Sequence, residues 1–339
     1  MANFTCNVCG ADCERGPEPL GREVPSCVQC GSTVRLRGLV ALLTREIFGV
    51  PQVLTHVPPL KDVRGFGMSD PPALATRLAE KFGYTNTFYH QPPVLDITKP
   101  PEDELGTYDF IVSSEVMEHV PPPVEDAFAN LYRLLKPNGL LVLTVPYAPW
   151  PQHTEHYPEL HEFGLATLGG STVLVNRRRD GSIEVMENLC FHGGDGSTLE
   201  MRVFSEASLK AVLAGAGFDE VQIASENVSE FGVDHAETWS LPIVARKGKF
   251  EPPATEIVKM YAAASRKIAA VQAELDIIRG EYTRYIAFHE QSHKENVKLL
   301  AERAEWALGL DRELQQVRAQ KAEMESRLWV KAGRKLGGV

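Results

Sequence analysis

Residues 108–147 read YDFIVSSEVMEHVPPPVEDAFANLYRLLKPNGLLVLTVPY. Three elements follow one another in this stretch. "YDFIVSSEV" (108–116) is an apolar run that closes on polar residues, as a buried strand does when its carboxyl end reaches a site. "PPVEDAFANLYRLLKPNG" (122–139) opens on prolines and closes on Pro137-Asn138-Gly139, which are start and stop signals of a helix. "LLVLTVPY" (140–147) is a second continuous apolar strand. Apolar strands alternating with helices predict a parallel sheet covered on both faces.

The same alternation continues upstream. "DVRGF" (62–66) is strand-like, and "PPALATRLAEKFG" (71–83) is a helix with proline at its start and Gly83 at its stop. "YTNTFYH" (84–90) is rich in β-formers, and "VLDIT" (94–98) is a short strand. In sheets of this class, ligands bind beyond the carboxyl ends of the strands. Those ends carry "GFGMSD" (65–70), Asp96, "SSEVMEH" (113–119) and "VPY" (145–147), so the polar residues gather where a site belongs. The glycine pair in "VRGFGMSD" (63–70) suits close backbone approach to a ligand, although a third glycine and a preceding acidic residue are missing.

Composition bounds the rest. An apolar fraction of 43% and a charged fraction of 24% over 339 residues describe a globular chain of one or two domains plus an extension. A net charge of −10 argues against a nucleic-acid partner, which needs concentrated Lys and Arg. No apolar run approaches the ~20 residues that span a bilayer, so no membrane span is expected. "MANFTCNVCG" lacks the plan of a signal peptide, and cytoplasm is the expected compartment. Six cysteines there should be thiols or metal ligands rather than disulfides.

Residues 1–33 carry Cys6-x2-Cys9 and Cys27-x2-Cys30 with 17 residues between the pairs. That spacing suits four thiolates on one structural Zn2+, a zinc-ribbon-like head of two knuckles with a hairpin between them. So short a segment buries too little core to fold unaided, which makes the metal a physical requirement. The alternative is four unrelated buried cysteines. Cys13 either replaces Cys9 or is a bystander, and Cys190 reads as a small packed hydrophobe. "STVRLRGLVALLTREIFG" (32–49) is a helix capped by Ser32 or Thr33, with Leu36, Leu39, Leu43 and Ile47 on one stripe. Arg35 and Arg37 read as its solvated face, the other reading being the ligand cleft.

After a linker at 248–253, residues 254–339 contain no proline. Ile257, Tyr261, Ala264, Ile268, Val271, Leu275, Ile278, Tyr282 and Tyr285 alternate steps of four and three, a heptad seam interrupted near 289–296. A second seam runs through Leu310, Leu314, Val317, Met324 and Leu328. This predicts a coiled-coil extension and, through it, a homo-oligomer or a partner protein; the other reading is a long helix packed on its own domain.

The 108–147 segment resembles the central motifs of class I S-adenosylmethionine-dependent methyltransferases: the strand ending in Ser/Glu, the "EHV" turn, the helix ending "LLKPNG" and the strand that follows. "SEASLKAVLAGAGFDEVQIASEN" (205–227) resembles the family's late helix and strand, and "WSLPIVARK" (239–247) its closing antiparallel strand. The resemblance implies a Rossmann-like α/β fold over 34–247, a mostly parallel seven-stranded sheet with helices on both faces and an insertion at 150–200. It implies S-adenosyl-L-methionine as cofactor. Gly65, Gly67, Ser69 and Asp70 would meet its amino-acid part, Asp96 its adenine, and Ser114 and Glu115 would line it. Val63-Arg64 replaces the family's acidic residue before the glycines, and "FYHQ" (88–91) lacks the carboxylate that holds the ribose.

A hydroxyl acceptor needs a base, and His156, His192 and His119 are the candidates, with a packing role as the alternative for each. No ligand set for a catalytic metal is legible among them. "NRRRDGS" (176–182) is a hairpin turn whose arginines favour an anionic acceptor, and "GGDGST" (193–198) is either a phosphate cradle or a plain turn. "SRLWVKAGRKLGG" (326–338) resembles the tails of bacterial cell-surface polysaccharide-assembly proteins, which implies a saccharide among the small-molecule acceptors. The expected function is therefore O-methylation of a sugar or surface saccharide. The competing expectation is a catalytically degenerate scaffold that binds partners through its head and coiled coil.

Overall fold

The computed structural model describes residues 3–14, 16, 18–149, 153–192, 198–249, 256–289 and 296–336. The chain forms two compact units, one of 1–43 with 53–251 and one of 44–52 with 252–339.

The first unit is built on a six-stranded mixed sheet. In chain order its elements are α1 (Val34–Phe48), β1 (Leu60–Met68), α2 (Pro72–Lys81), β2 (Phe82–Thr87), β3 (Tyr108–Ser114), α3 (Val124–Leu134), β4 (Leu135–Thr144), α4 (Glu206–Gly215), β5 (Glu220–Ile223) and β6 (Ile243–Arg246). The strand order is β5-β6-β4-β3-β1-β2. The four strands β4-β3-β1-β2 run parallel, and β6 lies antiparallel to both β4 and β5.

The expected seventh strand, "VLDIT", is not a sheet strand. It contributes one parallel bridge, Val94 to Phe88. Parallel neighbours need a crossover of a dozen or more residues, and only five lie between these two. Pro92 and Pro93 also lack the N–H a ladder requires. Helix α3 starts after Pro123, as the prolines indicated, but ends at Leu134, short of Pro137-Asn138-Gly139. Lys136 precedes a proline and is pushed toward extended backbone, so β4 begins at once.

The main core lies between the sheet and the face of α3 and α4. Ala127, Phe128, Leu131 and Leu134 of α3 meet Ile111, Leu141, Leu143, Leu209 and Leu213, all almost fully buried. Helix α4 opens on a reciprocal cap: the Ser208 N–H donates to Ser205 Oγ (3.1 Å) and the Ser205 N–H to Ser208 Oγ (3.0 Å).

The head is continuous with this unit. Its hairpin, Phe4–Thr5 with Asp12–Cys13, encloses the first cysteine pair instead of lying between the pairs. Each knuckle closes with the same bond, Gly10 N–H to Cys6 O (2.7 Å) and Gly31 N–H to Cys27 O (2.8 Å). Both glycines have left-handed φ angles of 82° and 70°, which the repeated Cys-x2-Cys-Gly supplies without Cβ strain. Thr33, not Ser32, caps α1, accepting from the Leu36 N–H (3.3 Å).

The insertion folds as a three-stranded antiparallel sheet, Glu162–Leu168, Ser171–Arg177 and Ile183–Met186. Gly169-Gly170 and the "RRDGS" turn join its strands, as turn chemistry predicts. Residues 193–197 of "GGDGST" and 250–253 of the linker lie outside the described residues.

In the second unit, α5 (Glu256–His289) and α6 (Asn296–Leu336) pair as a helical hairpin. Ion pairs Lys267–Glu313 and Arg303–Glu281 fix the pairing as antiparallel. Val271, Leu275, Ile278, Leu310 and Leu314 form its buried seam. The two heptad seams thus close on each other within one chain, and the surface expected to meet another copy meets its own partner helix. The predicted break near 289–296 falls on residues 290–295, outside the described residues. Residues 44–48 of α1 belong to this unit, and Tyr261 is buried edge-on against Phe48, ring centroids 5.3 Å apart.

Candidate active site

A cleft of about 1740 Å3 opens at the carboxyl ends of β1, β2 and β3. Ser69, Asp96, Glu115 and His119 line one side; Phe163, Leu165, Arg177 and Arg179 of the insertion line the other. A volume of this size holds a nucleoside cofactor and an acceptor together, since ligand pockets run to about 1,000 Å3.

The two glycines do not face this cleft. Both sit inside β1, and each serves the fold's own packing. A Cβ on Gly65 would enter the Phe110 ring, and one on Gly67 would collide with Asp70 Oδ2 and Tyr84 Oη. The turn that reaches the cleft begins two residues after Gly67, at Ser69, which stands at the left-handed φ of 58°. Asp70 lies beneath it, fully buried. Tyr84 donates to Asp70 Oδ2, Oδ1 has no partner among the described residues, and burial pushes the carboxyl up to about 7. Asp96 holds an Asx turn, accepting from the Thr98 N–H (2.9 Å) and hydroxyl (2.7 Å).

At the end of β3, Glu115 also adopts a left-handed conformation, φ 55°. Its carboxylate is held by Arg22 from the head at 2.9 Å. Burial would raise its pKa, but the guanidinium of Arg22 and the charge of Arg35 keep it below the usual carboxylate range. Arg35 pairs with Glu23 and donates to Ser114 Oγ. It is therefore not a solvated residue. Neither is Arg37, which is fully buried and donates to Ser32 O (2.8 Å), Ser26 Oγ (2.9 Å) and Gly232 O (3.0 Å). Both arginines follow from α1 being apolar almost all round, which leaves no wet face for them.

The "EHV" turn is braced from the insertion side. Buried Arg202 donates to Met117 O (2.9 Å) and Val120 O (2.6 Å) and pairs with Glu155 (2.6 Å). His119 Nδ1 lies 2.7 Å from Leu199 O. A carbonyl can only accept, so Nδ1 carries the proton and Nε2 is the free ring nitrogen. Glu118 is fully buried; its oxygens accept no well-formed hydrogen bond among the described residues. His192 Nδ1 stands 3.3 Å from it. Burial raises the Glu118 pKa, with the Glu115 charge adding to it, and the Glu118 carboxylate in turn raises that of His192. His156 is elsewhere in the insertion, 3.3 Å from Glu200 and 3.7 Å from Cys190 Sγ, and does not line the cleft.

Residues 62–223 match the family model described as methyltransferase domain. Over that segment the chain is similar to methyltransferase domains. The match spans every element that builds the cleft. One curated relative, the non-reducing polyketide synthase prhL of Penicillium brasilianum, is 38% identical over 73 residues, 21% of this chain. The chain spans only 3% of that protein's length. Among solved structures, the amino pentose methyltransferase CalS10 from Micromonospora echinaspora is 14% identical over 64% of this chain and 92% of its own, with a TM-score of 0.36. The sugar N-methyltransferase KedS8 from Streptoalloteichus sp ATCC 53650 is 10% identical over 69% of this chain and 98% of its own, with a TM-score of 0.37.

The cysteine head lies within the first unit. Cys6, Cys9, Cys27 and Cys30 bring four sulfurs within 4.8 Å of one another, with Cys6–Cys30 at 3.7 Å and Cys9–Cys27 at 3.6 Å. Zinc–sulfur bonds of about 2.3 Å in a tetrahedron place sulfurs about 3.8 Å apart, so the set fits zinc. Burial opposes ionisation of Cys27, but the N–H groups of Cys30 and Gln29 draw its thiol down to about 6. Cys13 turns to Ala11 O (3.6 Å) and stands outside the set. Ser32 Oγ, 3.1 Å from Cys6 Sγ, links the thiolates to the buried Arg37, whose charge would offset theirs.

Among the described helices, none is long and apolar enough to cross a membrane.

Proposed function

We propose that this chain methylates a hydroxyl group of a small-molecule or saccharide acceptor, with a structural zinc in its head. Bound S-adenosylmethionine would supply an electrophilic methyl group on a sulfonium, which passes to the acceptor oxygen as the carbon–sulfur bond breaks. The Ser69–Asp70 turn would meet the amino-acid end of that cofactor, Asp96 its adenine, and Glu115 would line the wall between them. His119, with Nδ1 tied to Leu199 O, offers Nε2 to take the acceptor's proton. The chain's main contribution would be alignment: donor and acceptor held in one cleft make a bimolecular displacement effectively intramolecular. Arg177 and Arg179 on the insertion wall suit an acceptor bearing an anionic group.

The observation that carries this reading is the single cleft shared by the strand ends and the insertion, with a candidate base at their junction. Calorimetry with S-adenosylmethionine and S-adenosylhomocysteine tests it. Binding of both is expected, weakened by Asp96→Ala. No binding of either at millimolar concentration overturns the proposal. Mass-spectrometric comparison of surface glycans with and without the protein then identifies the acceptor. A saccharide acceptor requires a mass gain of one methyl group.

A further inference from the structure

Glu118 is the least explained group in the molecule. It is a carboxylate with no solvent exposure, and neither oxygen accepts a well-formed hydrogen bond among the described residues. A buried carboxylate left without well-formed hydrogen bonds is costly unless a cation sits beside it. Its nearest neighbours are two imidazole nitrogens, His192 Nδ1 at 3.3 Å and His119 Nε2 at 3.7 Å. One donor atom from each of the three residues lies within 4.8 Å of the others.

We propose that Glu118, His119 and His192 form a binding site for a divalent transition-metal ion at the edge of the cleft. Three features agree with this. Metal–nitrogen and metal–oxygen bonds of about 2.0–2.2 Å put neighbouring ligands roughly 3.0–3.6 Å apart, and the two spacings to Glu118 fall within or next to that range. The bond from His119 Nδ1–H to Leu199 O fixes the ring so that Nε2 presents its lone pair, as ligating histidines do through an outer carbonyl. Buried Arg202 locks the backbone of the same turn through Met117 O and Val120 O, so the ligands are held before any ion arrives. Two imidazoles and one carboxylate suit Mn2+, Fe2+ or Zn2+ better than Ca2+, and three protein ligands leave positions open. His119 lines the cleft, so an open position there faces the space given to the acceptor. An ion in it would polarise an acceptor hydroxyl and, with His119 Nε2 taken up as a ligand, replace the general-base role proposed for that nitrogen: the proton leaves to water as the oxygen–methyl bond forms and the methyl–sulfur bond breaks. That use rests on the proposed function; the binding does not.

Mn2+ is the probe, since it takes oxygen and imidazole ligands and competes poorly for thiolates. The intact chain, its cysteine head loaded with zinc, is titrated with Mn2+ without S-adenosylmethionine and followed by electron paramagnetic resonance. One Mn2+ per chain is expected, with affinity at least tenfold weaker in Glu118→Gln and in His192→Ala. His192 is partly exposed, so its variant keeps the fold and serves if Glu118→Gln does not. Absence of Mn2+ binding to the wild type, or equal binding by both variants, overturns the site. Calorimetry with S-adenosylmethionine on the same samples separates the two proposals: cofactor binding without Mn2+ binding removes the cation site alone, and the converse removes the proposed cofactor cleft alone.

Discussion

Asp70 sets a pH dependence that can be worked out in sign. Its folded pKa of about 7 lies above the ordinary value of 3.8, because burial penalises the charge. Between these values the folded chain keeps a proton that the unfolded chain has lost, so this carboxyl's contribution to stability falls as pH rises from about 4 to about 7 and is level above that. Three pKa units correspond to roughly 4 kcal/mol. Asp70→Asn removes the slope. Denaturant midpoints taken from pH 4 to pH 8 should move in favour of the variant, and a constant offset between the two proteins would show that Asp70 ionises freely. The glycines beside it give a second residue-scale expectation. Gly65→Ala forces the buried Phe110 ring to move and should cost about 1–3 kcal/mol in thermal or denaturant unfolding, with cofactor affinity in the surviving native protein changed little. A substitution at Gly67 strikes the Asp70–Tyr84 pair, so its effect reports on folding before it reports on a ligand.

The head and the strand ends are coupled through one side chain. Arg22 lies between the two cysteine pairs, anchored on Ser240 O at 3.0 Å, and its other end holds Glu115. Zinc removal should open the knuckles, release Arg22 and leave a largely buried Glu115 without its cation. Chelation is therefore expected to lower S-adenosylmethionine affinity by about tenfold, the scale of one charge-assisted hydrogen bond. Arg22→Met should do the same with zinc retained. Unchanged calorimetric affinity in the zinc-free protein would show that the head stands apart from the site. This element was half legible. The Cys-x2-Cys-Gly repeats declare the knuckles, because thiolate spacing and a left-handed glycine are local requirements. Nothing local says that Arg22 and Arg35 reach β3, since 93 and 79 residues separate them from Glu115 and Ser114. The apolar run "GLVALLT" around Arg37 was the available signal that this helix has no wet face. The parallel strands were legible for the same reason the knuckles were: a strand buried on both faces must be apolar throughout. "VLDIT" looks alike but lies too close to β2 to cross over, a constraint of connection length rather than of pattern.

At the scale of the whole molecule, the heptad seam is a question of which surface closes it. Residues 268, 271, 275 and 278 of α5 and 307, 310 and 314 of α6 pack into one cluster within the hairpin. Heptad periodicity states that a seam exists and is silent on whether its partner is another chain or the next helix. Burying such a seam contributes about 1.5–3 kcal/mol for each large aliphatic side chain. That driving force does not vanish when α6 is removed. A chain truncated after residue 289 keeps α5 with Val271, Leu275 and Ile278 exposed, and another copy is then the available cover. Analytical ultracentrifugation should show concentration-dependent association of the truncated chain, absent or much weaker in the full chain over the same range. Leu275→Lys in the truncated chain should abolish it, because a charge at the centre of the seam cannot be buried unpaired. If the truncated chain sediments as the full chain does, the α5 seam has no affinity of its own kind and the hairpin is held by its ion pairs and by the packing of Tyr261 on Phe48.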